Sequence, residues 1–133
     1  MKSGDQIEFE FYEFIEASPL RSFINGQMYR DDMRPHNSMN EDLVVTFKTG
    51  DASQFQTGEV AVNVYVPFIE NGGALVRDIT RCRFICNEMI KVFKEFTNSE
   101  YLIEMITTPK SISIPGVRQT MVNARLEFTR VEN

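Results

Sequence analysis

Few residues of this chain are candidates for nucleophilic catalysis. A hydrolytic dyad needs a serine or cysteine with a histidine within hydrogen-bond reach. His36 is the only histidine among the 133 residues, and the two cysteines are Cys82 and Cys86. His36 follows Pro35 in a stretch rich in turn-forming residues, far along the chain from both cysteines. We therefore interpret His36 as a solvated loop residue rather than as a catalytic base.

Acidic residues offer a second kind of chemistry, because two carboxylates can divide acid and base work between them. One group of candidates lies in a single polar stretch, at Asp31, Asp32, Glu41 and Asp42. The chain has 19 acidic residues, so groups of this size arise by chance and are more simply solvated. The same interpretation applies to a second group on the predicted first helix, Glu8, Glu10, Glu13 and Glu16.

The sequence predicts neither a cofactor nor a metal ion. A phosphate-binding loop needs a lysine and a hydroxyl residue after its glycines, whereas Ala74 and Leu75 follow Gly73. Cys82 and Cys86 have no further metal ligands at a suitable spacing, so we interpret both as small buried hydrophobes. These observations together predict that the protein is not an enzyme.

Composition limits the partners that the protein can bind. The formal net charge is −5 and the isoelectric point is about 4.9, which disfavours non-specific binding to nucleic acid and to anionic membranes. The first residues lack the charged-then-apolar pattern of a secretory leader, so we expect none, and no apolar run approaches the ~20 residues that a membrane helix needs. A length of 133 residues suits one domain, residues 1–133. We expect a soluble cytoplasmic protein.

Alternating apolar residues predict most of the sheet. Residues 43–49 and 58–66 alternate over seven or more positions and are rich in β-branched types, so we predict neighbouring antiparallel strands. Further strands are predicted at residues 27–30, 101–106 and 119–130, with a short extended piece at 112–114. In the last strand, the core-facing residues should be Val122, Ala124, Leu126 and Phe128.

An apolar stripe predicts a first helix over residues 3–17, with Ser3 and Gln6 as a capping box. The segment from Ile7 to Phe11 also alternates as a strand would. The helix is preferred because the helical period continues to the end of the segment. Residues 19–24 should form a short helical turn.

The longest apolar stripe predicts a second helix over residues 74–97. Its members step by four and three residues: Leu75, Ile79, Cys82, Cys86, Met89, Phe93 and Phe96. The predicted fold is therefore α+β, with an antiparallel sheet of about four to five strands packed on one side by the two helices. The predicted order is one helix, three strands, one helix and two strands.

Two surfaces are candidates for protein contacts. Methionine, tyrosine and arginine are enriched at such interfaces, and the segment 27–42 combines them at Tyr29, Arg30, Met33, Arg34 and Met39. The second surface is the face of the 58–66 strand that points away from the core, with Ala61, Asn63 and Tyr65. If no helix covers that face, a partner subunit is expected to do so.

Several segments carry a resemblance to a known group of proteins. They run from Pro19 to Arg30, from Arg34 to Ser38, from Glu41 to Val45 and from Gly58 to Val66. In these segments the chain resembles small prophage proteins akin to the tail-terminator and tail-completion (head–tail joining) proteins of long-tailed bacteriophages. The resemblance covers most of the chain through degenerate motifs, and the C-terminal third matches in layout only.

The resemblance implies a non-enzymatic structural protein that forms a ring of identical copies, often a hexamer. Such a ring caps the tail tube and offers a docking surface for the head, so the implied partners are the tube and head-completion proteins. DNA would meet the ring only by passage through its lumen, where carboxylates repel phosphate. The implied location is the bacterial cytoplasm and then the virion. A small-ligand or peptide-binding module is the alternative.

Overall fold

Helices and a mixed sheet make up the described part of the chain. The computed structural model describes residues 1–53, 55–94 and 96–131. The α+β class predicted from the sequence is confirmed. Within these ranges the elements are, in order, α1 (Gly4–Glu16), α2 (Pro19–Phe23), β1 (Met28–Arg30), β2 (Leu43–Asp51), β3 (Gln56–Pro67), β4 (Ile69–Asn71), β5 (Ala74–Val76), α3 (Ile79–Phe93), β6 (Tyr101–Met105), β7 (Lys110–Ser113) and β8 (Gln119–Arg130).

The main sheet is mixed rather than purely antiparallel. Its strand order is β1-β2-β3-β8-β6, and β7 pairs with another stretch of β8. The predicted antiparallel pairing of β2 with β3 is confirmed. β1 instead lies parallel to β2, with Met28 opposite Leu43, so the prediction of an antiparallel sheet of four to five strands is wrong at this edge. A parallel neighbour needs a connection of about a dozen residues, and the segment 31–42 supplies it.

The core lies between the helices and one face of the sheet. Alternate residues of β2, β3 and β8 point to this face, and the helices bury their apolar stripes against it. The prediction for β8 is confirmed, because its four core-facing residues are fully buried. The buried strand residues of this core include Leu43, Val45, Val60, Val62, Val64, Val122, Ala124, Leu126 and Phe128.

Local sequence explains why α1 is a helix and not a strand. The Ser3 hydroxyl accepts a hydrogen bond of 3.1 Å from the Gln6 backbone N–H, which satisfies one of the free donors of the first turn. Ile7 and Phe11 are fully buried. Phe9, which an alternating strand would bury with them, is 40% exposed. The predicted helix is therefore confirmed, with bounds Gly4–Glu16.

The second long helix begins later in the structure than the sequence predicts. Residues 74–76 form β5, which pairs with β4 across Gly72 and Gly73. These glycines have φ of 62° and 84°, and two positive φ values define the type I′ turn that joins tight hairpins. The stripe that predicted one helix over 74–97 therefore spans a hairpin strand and a shorter helix.

Helix α3 starts after Asp78, whose carboxylate accepts a 3.0 Å hydrogen bond from the Arg81 backbone N–H. This capping contact fixes the first turn at Ile79. Ile79 is 60% exposed and Leu75 is 46% exposed, so the first two members of the stripe do not reach the core. The core residues of α3 are Cys82, Ile85, Met89 and Phe93.

The acidic face of α1 is only partly solvated, which corrects the sequence interpretation. Glu8 is 9% exposed, and it accepts hydrogen bonds from Arg30 Nε and from the Phe47 backbone N–H, both at 3.0 Å. Glu10 accepts from Lys2 Nζ at 2.8 Å and from the Tyr101 hydroxyl at 2.9 Å. Three of these partners, Arg30, Phe47 and Tyr101, lie far from α1 in sequence, so the helical pattern could not reveal them.

The contacts of Glu10 make stability depend on pH. Burial alone raises the pKa of this carboxyl, but hydrogen bonds from Lys2, Gln6 and Tyr101 outweigh it, so the pKa lies below its ordinary value of 4.5. A carboxyl whose pKa falls on folding stabilises the fold above its unfolded pKa, and this stability is lost as the pH falls through the folded pKa.

We expect Glu10→Gln to lower the free energy of unfolding at pH 7 and to flatten its decline in acid. The glutamine cannot ionise, so the loss of stability below about pH 4.5 should be smaller than in the wild type. Urea denaturation at several pH values measures this difference. Glu13→Gln, on the solvated part of the helix, serves as the control. Equal acid slopes for the wild type and Glu10→Gln would contradict the assignment.

Candidate protein-interaction surface

The second face of the main sheet carries a groove. The side chains of Val44, Thr46 and Lys48 on β2, and of Asn63 and Tyr65 on β3, alternate with the core residues and point away from the helices. In the described part of the chain no helix packs on this side, which we call the open face. Its groove has a volume of about 390 Å³. The loop from β1 and the turn before β8 form its walls, with Asp31, Asp32, Arg34, Pro35, His36, Ile114, Val117 and Gln119.

Asp42 holds the loop that forms one wall of the groove. Its side chain is fully buried. One carboxylate oxygen accepts from Arg34 Nε at 2.9 Å and from the Ser38 hydroxyl at 2.6 Å. The other accepts from the Gln27 backbone N–H at 2.9 Å. The sequence interpretation of Asp42 as a solvated acid is therefore wrong, because three donors, from the loop and from the residue before β1, enclose it.

The neighbouring Glu41 ties the same loop to the helical layer. Arg81 on α3 donates two hydrogen bonds to its carboxylate, at 2.8 and 2.7 Å. The Asn25 backbone N–H donates a third at 3.1 Å. Gly26 passes so close that a Cβ there would lie 2.3 Å from Asp42 Oδ1. Only glycine fits this turn, and Glu41, at 5% exposure, is likewise not the solvated residue predicted.

Arg34 and Tyr65, both predicted as interface residues, lie against each other in the groove. The guanidinium carbon of Arg34 stands 4.1 Å from the centre of the Tyr65 ring, a cation–π contact. Arg34 Nη2 also donates to the backbone oxygens of Ser38 and Asn40, at 3.2 and 3.1 Å. The arginine is thus fixed in place, and with Tyr65 it forms a rigid part of the groove lining.

The remaining predicted interface residues do not form one site. Asn63 lies in the groove and accepts a 2.6 Å hydrogen bond from Asn123. Met33 is 67% exposed and Met39 is 53% exposed. Met39 lines a separate depression near Ile69. The other two are on β1: Tyr29 and Arg30, of which Arg30 is held by Glu8.

The residues considered for catalysis lie on different sides of the sheet. His36 lines the groove on the open face, whereas Cys82 lies on the core-facing side of α3. Burial raises the pKa of both the Cys82 and the Cys86 thiol, which keeps them protonated and poorly nucleophilic. Among the residues that the structure describes, no three His, Cys, Asp or Glu side chains are placed to hold a metal ion.

One exposed feature was missed by the sequence interpretation. The β4–β5 hairpin stands outside the main sheet, and every residue from Ile69 to Arg77 is exposed. The sequence Asn71-Gly72-Gly73 between two short apolar runs is a recognised hairpin signal. This signal identifies the hairpin, but the helical stripe that starts at Leu75 predicts a helix for the same residues.

Comparison of the chain with known proteins gives no match, either to a protein-family model or to a curated protein. The relationship to phage tail-terminator proteins therefore stays a prediction. Across the described residues, the helices are too short or too polar to cross a membrane.

Proposed function

We propose that the protein is a non-enzymatic assembly protein of a phage or prophage particle, of the tail-terminator or head–tail completion type, that works as a ring of identical copies. The observation that carries the proposal is the open face. The helices cover one side of the sheet, while the other side keeps a groove with rigid walls. A surface of this kind suits contact with other protein chains.

The rigidity of the groove supports this role. A surface that is rigid before binding loses less conformational freedom on contact. Buried hydrogen bonds to Asp42 and Glu41 fix the loop that forms one wall. Arg34 packs on the ring of Tyr65. The net charge of −5 also fits a ring through which DNA passes without being retained, because like charges repel.

A small-ligand or peptide-binding module is the second candidate. It is favoured by Tyr65, an aromatic ring beside polar groups in a groove of about 390 Å³, since ligand sites combine these features. Two other aromatic residues, Tyr101 and Phe47, do not line this groove. Tyr101 is fully buried, and Phe47 packs against the core.

Imaging the protein with tail tubes tests the proposal. The purified protein is mixed with tubes from the phage or prophage that carries its gene, and tube ends are examined by negative-stain electron microscopy. We expect a ring-shaped cap at one end of the tube. Bare tube ends over a wide range of protein concentrations would overturn the proposed function.

A further inference from the structure

The β4–β5 hairpin is an apolar arm without a partner in the described chain. Ile69 pairs with Val76, and Glu70 pairs with Leu75. Three of these are large aliphatic side chains between 37 and 46% exposed, and Ile79 at the start of α3 is 60% exposed. At the base of the hairpin, the Phe68 backbone N–H donates to the Arg118 backbone oxygen at 3.0 Å. We call residues 69–77 the arm.

The arm is poorly suited to stand alone in water. A separate two-stranded ribbon is marginally stable unless further strands or a helix cover it. Exposed strands with apolar side chains are also templates for pairing with other chains. The two glycines of the turn nevertheless have the positive φ values that a type I′ turn requires, so the turn itself favours the hairpin. An arm that is both preformed and uncovered is expected to dock on another surface.

The open-face groove has the features that the arm needs. Its walls offer apolar contact at Tyr65, Ile114 and Val117, whereas Val44 on its floor is only 6% exposed. Charges also match. Glu70 on the arm and Lys48 in the groove have opposite signs, as do Arg77 and Asp32. Within the described residues none of these four charges takes part in an ion pair, so all four are available to a partner.

We infer that the arm of one copy docks in the open-face groove of the next copy. This inference rests on the proposed ring function and assigns the contact that joins its subunits. Arm and groove are different surfaces of one chain, so the contact is head-to-tail. A head-to-tail contact closes into a ring when the rotation between neighbours allows it.

Two single substitutions, one on each surface, test the contact. Leu75→Asp places a charge on the arm, and Val117→Asp places one on the groove wall. Leu75 is 46% exposed and Val117 is 39% exposed, so both variants should fold, and circular dichroism verifies this. Each variant alone should associate with a dissociation constant raised by about tenfold or more. Sedimentation velocity over a concentration series measures it, both in solution and with tail tubes present as a seed.

The equimolar mixture of the two variants is the decisive sample. The Leu75→Asp copy keeps an intact groove and the Val117→Asp copy keeps an intact arm, so one junction can form between them. We expect a dimer and no larger species. Leu102→Asp is the control, because Leu102 is 58% exposed on β6. It lies on the open face but neither lines the groove nor belongs to the arm, so this variant should assemble as the wild type does.

The possible outcomes separate the inference from the function on which it rests. If Leu75→Asp assembles as the wild type does, the arm is not the contact, although the ring function stands. If both variants fail to assemble and their mixture yields no dimer, the arm does not meet the groove. If the wild type forms no oligomer in solution or on tubes, both the inference and the proposed function are overturned.

Discussion

Replacing Asp42 with alanine is expected to lower the free energy of unfolding by about 3–5 kcal/mol, because removal of one member of a buried ion pair leaves the other without compensation. Asp42 is fully buried against Arg34, whose side chain is 13% exposed. The substitution also leaves the Ser38 hydroxyl and the Gln27 backbone N–H without their acceptor. Urea denaturation monitored by circular dichroism measures the change.

A neighbouring acid provides the control for Asp42. Asp31 lies in the same loop but is exposed, and it accepts one hydrogen bond from Thr46 at 3.1 Å. Asp31→Ala should therefore cost less than about 1 kcal/mol. Asp42→Asn, which keeps the shape of the side chain, should fall between the two. If Asp31→Ala and Asp42→Ala destabilise equally, the loop is not held in the way described.

Replacing Phe11 with alanine should destabilise the protein by about 3–5 kcal/mol, through lost burial and the cavity that remains. Phe11 is fully buried. Its ring lies 5.3 Å from that of Tyr101 at 76° and 5.6 Å from that of Phe128, and such aromatic pairs add to the energy of burial. The cluster joins α1 to β6 and β8, so its loss weakens the packing of helix on sheet.

Phe9 is a matched control on the same helix. It is 40% exposed and packs near Arg30, whose guanidinium lies 5.7 Å from the ring centre. Phe9→Ala should cost less than about 1 kcal/mol. Thermal unfolding of both variants gives the comparison. A loss for Phe9→Ala as large as that for Phe11→Ala would mean that α1 packs through a different face.

Elements set by local periodicity could be predicted from the sequence. The alternation from Val122 to Phe128 fixed both the strand and the side that it buries, because a strand turns every second side chain the same way. The Ser3 cap and the apolar stripe did the same for α1. Parallel pairing of β1 was not predictable in this way, because three residues carry little pattern and the loop to β2 decides their direction.

Buried polar contacts were missed for a different physical reason. Whether Asp42 or Glu41 is solvated depends on partners that the fold supplies, and Arg81 lies 40 positions from Glu41. Composition alone favours the solvated interpretation for any acid. Of the predicted interface residues, the fold places Arg34, Asn63 and Tyr65 in the groove. The arm was not predicted, because the apolar residues from Leu75 onward also fit the spacing of a helix.

Hydrogen–deuterium exchange of the protein bound to tail tubes, compared with the free protein, tests most directly whether the open face is the surface of assembly. We expect slower exchange on binding in residues 31–38 and 114–117, which form the walls of the groove, with little change in α1. Slower exchange confined to α1 and α3, with the groove walls unchanged, would contradict the proposed role of the open face.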